Sequence, residues 1–138
     1  MPPTPKQQEL LDGFVWDQKN LVAEYSFGGT AVYLDAFPVT EGHMLFVPLD
    51  QKNIHIAFNK ALAIAQQKVA DQEWDGFNIG INHGEAAGQT IKWPHIHVIP
   101  RHAGDCTNPA GGVRGVIPKN QNWKTAAKYK KIRIIAKS

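Results

Sequence analysis

The 138-residue chain has a single cysteine, Cys106, and no apolar run approaching the ~18 residues of a membrane span. A lone thiol cannot form an intrachain bridge, and without a CxxC pair there is neither a disulfide framework nor a thiolate zinc site. A reducing compartment follows. The opening Met1-Pro2-Pro3-Thr4-Pro5-Lys6 carries no apolar core of signal-peptide length, so the expected location is the cytoplasm, with no membrane partner. Acidic residues are missing from one end. Residues 119 to 138 hold seven basic side chains and no acidic one, whereas the other 118 residues hold eight basic against twelve acidic. Such a tail can be an electrostatic footprint for phosphate-rich partners. No aromatic interleaving or groove-reading motif accompanies it, so a solvated terminal segment is favoured over nucleic-acid binding.

What is present describes one globular domain, residues 1 to 138, with 43% apolar and 20% charged residues. A chain of this length buries roughly two thirds of its unfolded surface, enough to fold without metal or disulfide. The spacing predicts a short helix over 6–11 and a hairpin of runs 21–27 and 31–37 around Gly28-Gly29. A third strand is expected over 43–47, stopped by Pro48. From Lys52 to about Glu73, Ile54, Phe58, Leu62, Ala65 and Val69 recur at helical intervals. Phe77, Ile79 and Ile81 alternate with Asn78, Gly80 and Asn82 as a strand does, and another strand is expected from Gln89 or Thr90 to Ile99. Past Pro100, residues 101–118 read as loop, and 123–130 as a short helix before 132–135. There are no repeats. The sum is an α+β domain: an antiparallel sheet of about five strands, one long helix and a shorter terminal helix.

Strand parity over 91–99 puts Ile91, Trp93, His95, His97 and Ile99 on one face and Lys92, Pro94, Ile96 and Val98 on the other. Two imidazoles then stand roughly 7 Å apart, close enough to approach one small anionic group. A His-X-His pair on a strand is structural, or two of three metal ligands, or a nucleophile beside an acid or phosphate partner. The surroundings favour catalysis. Gly88-Gln89-Thr90 supplies backbone N–H groups, an amide and a hydroxyl suited to phosphate, and Asn82 ends the preceding strand. No Cys, Asp or Glu lies at a comparable spacing to complete a metal sphere, although His43, His83 or His102 could arrive through space.

The stretch Gly88-Gln89-Thr90-Ile91-Lys92-Trp93-Pro94-His95-Ile96-His97-Val98-Ile99-Pro100-Arg101 resembles the signature of the histidine triad family of nucleotide hydrolases and transferases, His-φ-His-φ-His-φ-φ with φ apolar. The stretch from Asp35 to Pro48 and Asn82-His83-Gly84 are similar to the family's strand-turn-strand and Asn-X-Gly loop, in the family's order, over roughly residues 20 to 118. The segment from Asn108 to Arg114 is similar to bacterial members near the fragile-histidine-triad branch. The resemblance implies His95 as nucleophile and His97 as its neighbour on the phosphate. It further implies Asp35 at the ribose hydroxyls, Phe37 near the base, His43 beside the site, and Asn82, Gln89 and Thr90 around the phosphate. Two-fold dimers, a purine nucleotide substrate and no cofactor or metal are implied as well.

One departure stands out. Trp93 occupies the first triad position, and an indole neither accepts a proton through its ring nitrogen nor titrates. Trp93 is left to pack against the nucleophile or stack on a base. Pro94 removes an N–H next to His95, as in the similar His-Pro-His of hexose-1-phosphate uridylyltransferases. The expected activity is hydrolysis of dinucleoside polyphosphates or nucleoside phosphoramidates at the α-phosphorus through a nucleotidyl-His95 intermediate. Two alternatives are a nucleotide-binding module with weakened or lost catalysis, and removal of adenylate from nucleic-acid ends.

Overall fold

The computed structural model describes residues 3–125. The chain falls into two compact units, Met1–His102 and Ala103–Ser138. The first contains a four-stranded antiparallel sheet, one strand fewer than expected, with order β1-β2-β4-β3: β1 Thr30–Leu34, β2 Met44–Pro48, β3 Gly76–Ile81 and β4 Ile96–Arg101. Helix α1 spans Pro5–Gly13 and α2 spans Ile54–Ala70.

The N-terminus of α1 is set by a capping box. The Thr4 hydroxyl accepts from the Gln7 N–H at 3.2 Å, the Thr4 N–H donates to the Gln7 side chain at 3.0 Å, and Pro5 opens the first turn. Helix α2 presents Ala57, Ala61 and Ala65 at i, i+4, i+8, all fully buried. Their small side chains bring the helix close to Val32, Met44, Phe46, Ile96 and Val98, and Ile54, Phe58 and Ile64 close the edges of that core. A second core on the opposite sheet face joins Ala31, Tyr33, Leu45 and Val47 to Leu11, with Phe14, Trp16, Leu21 and Trp93 packed against it. Strand β2 is therefore buried on both faces, which is why it reads as an unbroken apolar run rather than an alternating one.

Three sequence expectations give way to local hydrogen bonding. Residues 21–27 are not a strand: Leu21 makes one isolated bridge to Tyr33, and Ala23–Tyr25 is a 3₁₀ turn. Ser26 accounts for the difference, because its hydroxyl donates to the Val22 carbonyl at 2.8 Å and accepts the Val32 N–H at 2.9 Å, folding the segment back on β1. Lys60 of α2 fixes the same turn through the Tyr25 and Phe27 carbonyls, with its ammonium over the Phe27 ring. Strand β1 ends at Leu34, since Asp35 accepts the Phe37 N–H at 2.8 Å and turns the chain. Strand β4 begins only at Ile96. The Gln89 amide donates to the Ile91 and Lys92 carbonyls, and Pro94 has no N–H to give a ladder.

In the second unit, the region expected as loop holds 3₁₀ turns at Gly112–Val116 and Pro118–Asn120. Gly111 is required there: its φ is +92°, and a Cβ would sit 2.0 Å from the Gln121 carbonyl oxygen. Of the expected terminal helix, Trp123–Thr125 is a 3₁₀ turn, and residues 126–138, with most of the basic tail, lie outside the described residues.

Candidate active site

Strand β4 lies between β2 and β3, so the histidine it carries is held from both sides. His97 faces Leu45 on β2 and Gly80 on β3 in the register. Ile96 and Val98 point into the α2 core, which leaves His97 on the face that also holds Tyr33, Leu45 and Trp93. His95 precedes the strand, is only 9% exposed, and has its ring centroid 5.1 Å from that of His97.

The hydrogen bonds assign the proton on each ring. Nδ1 of His95 lies 2.9 Å from the Trp93 carbonyl oxygen, which can only accept, so Nδ1 carries the hydrogen and Nε2 keeps its lone pair. His43 Nδ1 accepts the Val39 N–H at 3.0 Å, which puts the His43 proton on Nε2. That Nε2–H is 3.0 Å from Nδ1 of His97 and 3.5 Å from a carboxylate oxygen of Asp35. His97 thus accepts at Nδ1 and retains Nε2–H as its donor. Burial lowers the His43 pKa, with Asp35 opposing. Burial, reinforced by the neighbouring His95 and His43, holds His97 down at about 4. Both rings are neutral at physiological pH.

His95 and His97 open into a cleft of about 380 Å³, within the roughly 300–1,000 Å³ usual for small-molecule sites. Asp35, Phe37, Asn82, Gln89 and Thr90 also line it. Phe37 is 89% exposed, on the turn made by Asp35. Gln89 is occupied in holding its own loop: besides the Ile91 and Lys92 carbonyls, it accepts the Gly84 N–H at 2.8 Å. The site is thereby preorganised, with Gly84 and Gly88 at φ of +92° and +90° on either side of the Glu85–Ala87 turn.

Two expected site residues stand behind the cleft instead of lining it. His43 is 3% exposed and supports His97. Trp93 donates its indole N–H to the Pro48 carbonyl at 2.8 Å and packs on Phe14, with centroids 5.1 Å apart. The sequence reading missed the wall contributed by Val15, Trp16, Asp17 and Asn20. Trp16 lies edge-on to His95 at 5.2 Å and stacks on Tyr33 at 5.7 Å. The Phe14-X-Trp16 alternation is visible in the sequence, but its destination depends on packing against β1. Among the described residues, Asp35, His43 and His97 bring one donor atom each within 4.8 Å of one another, a two-nitrogen, one-oxygen set that suits a divalent ion such as Zn²⁺.

The HIT domain family model matches residues 18–104, more than half of the chain. The chain belongs to the HIT family. Among its relatives in that family are the adenylylsulfatase HINT3 of Arabidopsis thaliana, 35% identical over 53% of this chain and 42% of the plant protein, and an uncharacterized HIT-like protein of Mycoplasma genitalium, 33% identical over 51% and 56%. This HIT chain therefore spans about half the length of those curated relatives. A solved structure from Streptococcus mutans, 26% identical, superposes with a TM-score of 0.57 over 78% of this chain and 71% of that one. The plant relative is named for an enzymatic activity, adenylylsulfatase. Trp16 lies just ahead of the residues that the family model matches.

Proposed function

We propose that this HIT protein hydrolyses dinucleoside polyphosphates or nucleoside phosphoramidates at the α-phosphorus, through a covalent nucleotidyl intermediate on His95. The observation that carries this reading is the bond from His95 Nδ1–H to the Trp93 carbonyl, which leaves Nε2 unprotonated in a cleft shared with His97. Nε2 attacks phosphorus as the bond to the leaving group breaks, and water then attacks the same phosphorus, forming an oxygen–phosphorus bond as the phosphorus–nitrogen bond breaks and releasing a nucleoside monophosphate and the free imidazole. His97 Nε2–H and the backbone of the Gly88–Thr90 loop are the donors for charge developing on the phosphoryl oxygens. Asp35, Phe37, Asn82 and Thr90 surround the rest of the nucleotide in this reading. The carbonyl at position 93 is available whatever side chain stands there, which favours a working enzyme over a binding module that lost catalysis with Trp93.

The test is rapid-quench analysis of diadenosine triphosphate and adenosine 5′-phosphoramidate under single-turnover conditions. Wild type is expected to accumulate acid-labile nucleotidyl-protein and to release AMP, while His95→Ala binds AMP without turnover. Absence of the labelled protein, with AMP released nonetheless, would disprove the covalent scheme. The reading also includes a homodimer and a cytoplasmic location, the first checked by light scattering. No helix among the described residues is long and apolar enough to cross a membrane.

A further inference from the structure

Most polar groups in the cleft already have partners within the protein. Asp35 accepts the Phe37 N–H and faces His43, Gln89 makes three loop bonds, and Asp17 accepts the Lys19 N–H at 3.0 Å and lies 3.6 Å from its ammonium. Among the described residues, the side chains of Asn20, Asn82 and Thr90 line the cleft without a hydrogen bond to the protein. Asn82 and Thr90 flank the Gly84–Gly88 loop, on the phosphate side with His95 and His97. Asn20 comes from the N-terminal segment that also lines the cleft with Val15 and Trp16. It is half-buried, and its amide stays open to the cleft, free to hydrogen-bond a ligand without first breaking a bond to the protein.

Asn20 is also held in place. It ends the 3₁₀ turn Gln18–Asn20, which Asp17 caps. The Gln18 amide ties this turn to the Leu11 carbonyl at 2.9 Å and the Tyr33 hydroxyl at 3.2 Å, and the next residue, Leu21, bridges to Tyr33. One amide carried by an anchored backbone among aromatic and aliphatic lining residues is an arrangement by which apolar pockets orient a flat heterocycle. A carboxamide offers a donor beside an acceptor. Adenine offers the complement, an amino group beside an unprotonated ring nitrogen, and an Asn satisfies both at once.

We infer that Asn20 is a specificity-determining residue of this cleft, hydrogen-bonding the 6-amino group and the adjacent ring nitrogen of an adenine base. The inference rests on the nucleotide-hydrolase reading, in which the cleft receives a nucleoside phosphate with its phosphorus at His95. It adds what neither the histidines nor the loop can supply, a means of telling one base from another. The residue lies in the segment whose aromatic member, Trp16, precedes the family-matched span.

Calorimetric titration with AMP and with purine riboside 5′-monophosphate tests it, since the second has the same size and stacking surface but no 6-amino group. Wild type is expected to bind AMP about tenfold more tightly, because purine riboside monophosphate loses one of the two amide–base bonds and leaves the amide oxygen without its donor. In Asn20→Leu the ratio falls to within about twofold, with affinity for AMP falling more than affinity for purine riboside monophosphate, which keeps only the ring-nitrogen bond to Asn20. Asn20→Asp, which keeps only acceptors, is expected to lie between. A wild-type ratio near one, or a Leu variant that keeps the wild-type ratio, overturns the role of Asn20 and leaves the hydrolase reading intact. If neither nucleotide binds wild type at millimolar concentration, the nucleotide reading itself falls and this inference with it. The wild-type comparison needs no variant and so does not depend on either substitution folding.

Discussion

The Nδ1 atom of His95 lies 2.9 Å from the carbonyl oxygen of Trp93, so the group that orients this ring belongs to the backbone and not to a side chain. The Trp93 indole meanwhile donates to the carbonyl of the buried Pro48 in a part-buried hydrogen bond. Orientation and packing are thus separate jobs of one residue. Trp93→Phe is expected to lower stability by about 1–3 kcal/mol, the cost of leaving a buried carbonyl unpaired, with a fall of several degrees in Tm. The rate of nucleotidyl transfer in single turnover should stay within about threefold. A hundredfold loss of rate at unchanged Tm would show that the indole takes part in the chemistry.

His43 is buried behind the cleft and sets the tautomer of His97. Its Nε2–H reaches His97 Nδ1 at 3.0 Å, and the Val39 N–H on the other nitrogen prevents the reverse arrangement. His43→Ala frees His97 to place its proton on either nitrogen and to rotate. The expected result is a fall in kcat of about tenfold or more, the size of one lost hydrogen bond at the reacting centre, with KM little changed. His43→Gln, which can still donate, should recover part of that loss. Equal loss in kcat and stability for both variants would mean that His43 only fills space.

These roles divide along a line set by sequence separation. The paired faces of β4, the long helix and the order of strand, turn and strand were readable because they rest on periodicity and on neighbouring residues. The positions of His95 and His97 followed from the same parity, even though His95 lies just outside the strand. Ser26 was harder to read: one hydroxyl bonded to Val22 and Val32 turns a strand-like run into a 3₁₀ turn, and hydroxyl competition of this kind leaves no periodic trace. Val15, Trp16 and Asn20 reach the cleft only because Phe14, Trp16 and Leu21 pack on the far face of β1 and β2. That is a tertiary fact, and neither propensity nor spacing carries it. His43 looked like a residue beside the substrate because the motif names its type but not its depth.

Acid should destabilise the protein in a defined window. His97 is neutral in the fold down to about pH 4, whereas an unfolded histidine titrates near 6.5, and His43 is shifted in the same direction by burial. Between those values the unfolded chain binds protons that the folded rings refuse, so folding stability falls as pH falls from about 6.5 to about 4 and levels off below. Above 6.5 these rings contribute no slope. The loss for His97 is on the order of 3 kcal/mol, at ~1.4 kcal/mol per pH unit. Urea denaturation at pH 7.0, 5.5 and 4.5 measures it, with His97→Asn expected to flatten the profile. An unchanged slope in that variant would place the acid sensitivity elsewhere.

The convergence of Asp35, His43 and His97 also predicts how the protein responds to metal under the proposed function. The scheme needs no ion, so dialysis against a chelator is expected to leave turnover unchanged. Added Zn²⁺ meets three donor atoms within 4.8 Å, two of them on neutral imidazoles. Binding there must displace the Nε2 proton of His43, because the same nitrogen cannot hold a hydrogen and a metal. The bond to His97 is then lost, Asp35 is drawn toward the ion, and turnover falls. Inhibition by Zn²⁺ should weaken as pH drops and protons compete for the imidazoles. His43→Gln removes one of the three ligands and should raise the inhibitory concentration about tenfold or more, read against the variant's own metal-free rate. Equal Zn²⁺ sensitivity in His43→Gln and wild type would move the inhibitory site away from these residues. Loss of turnover on chelation alone would mean that an ion participates in the reaction and that the metal-free scheme is wrong.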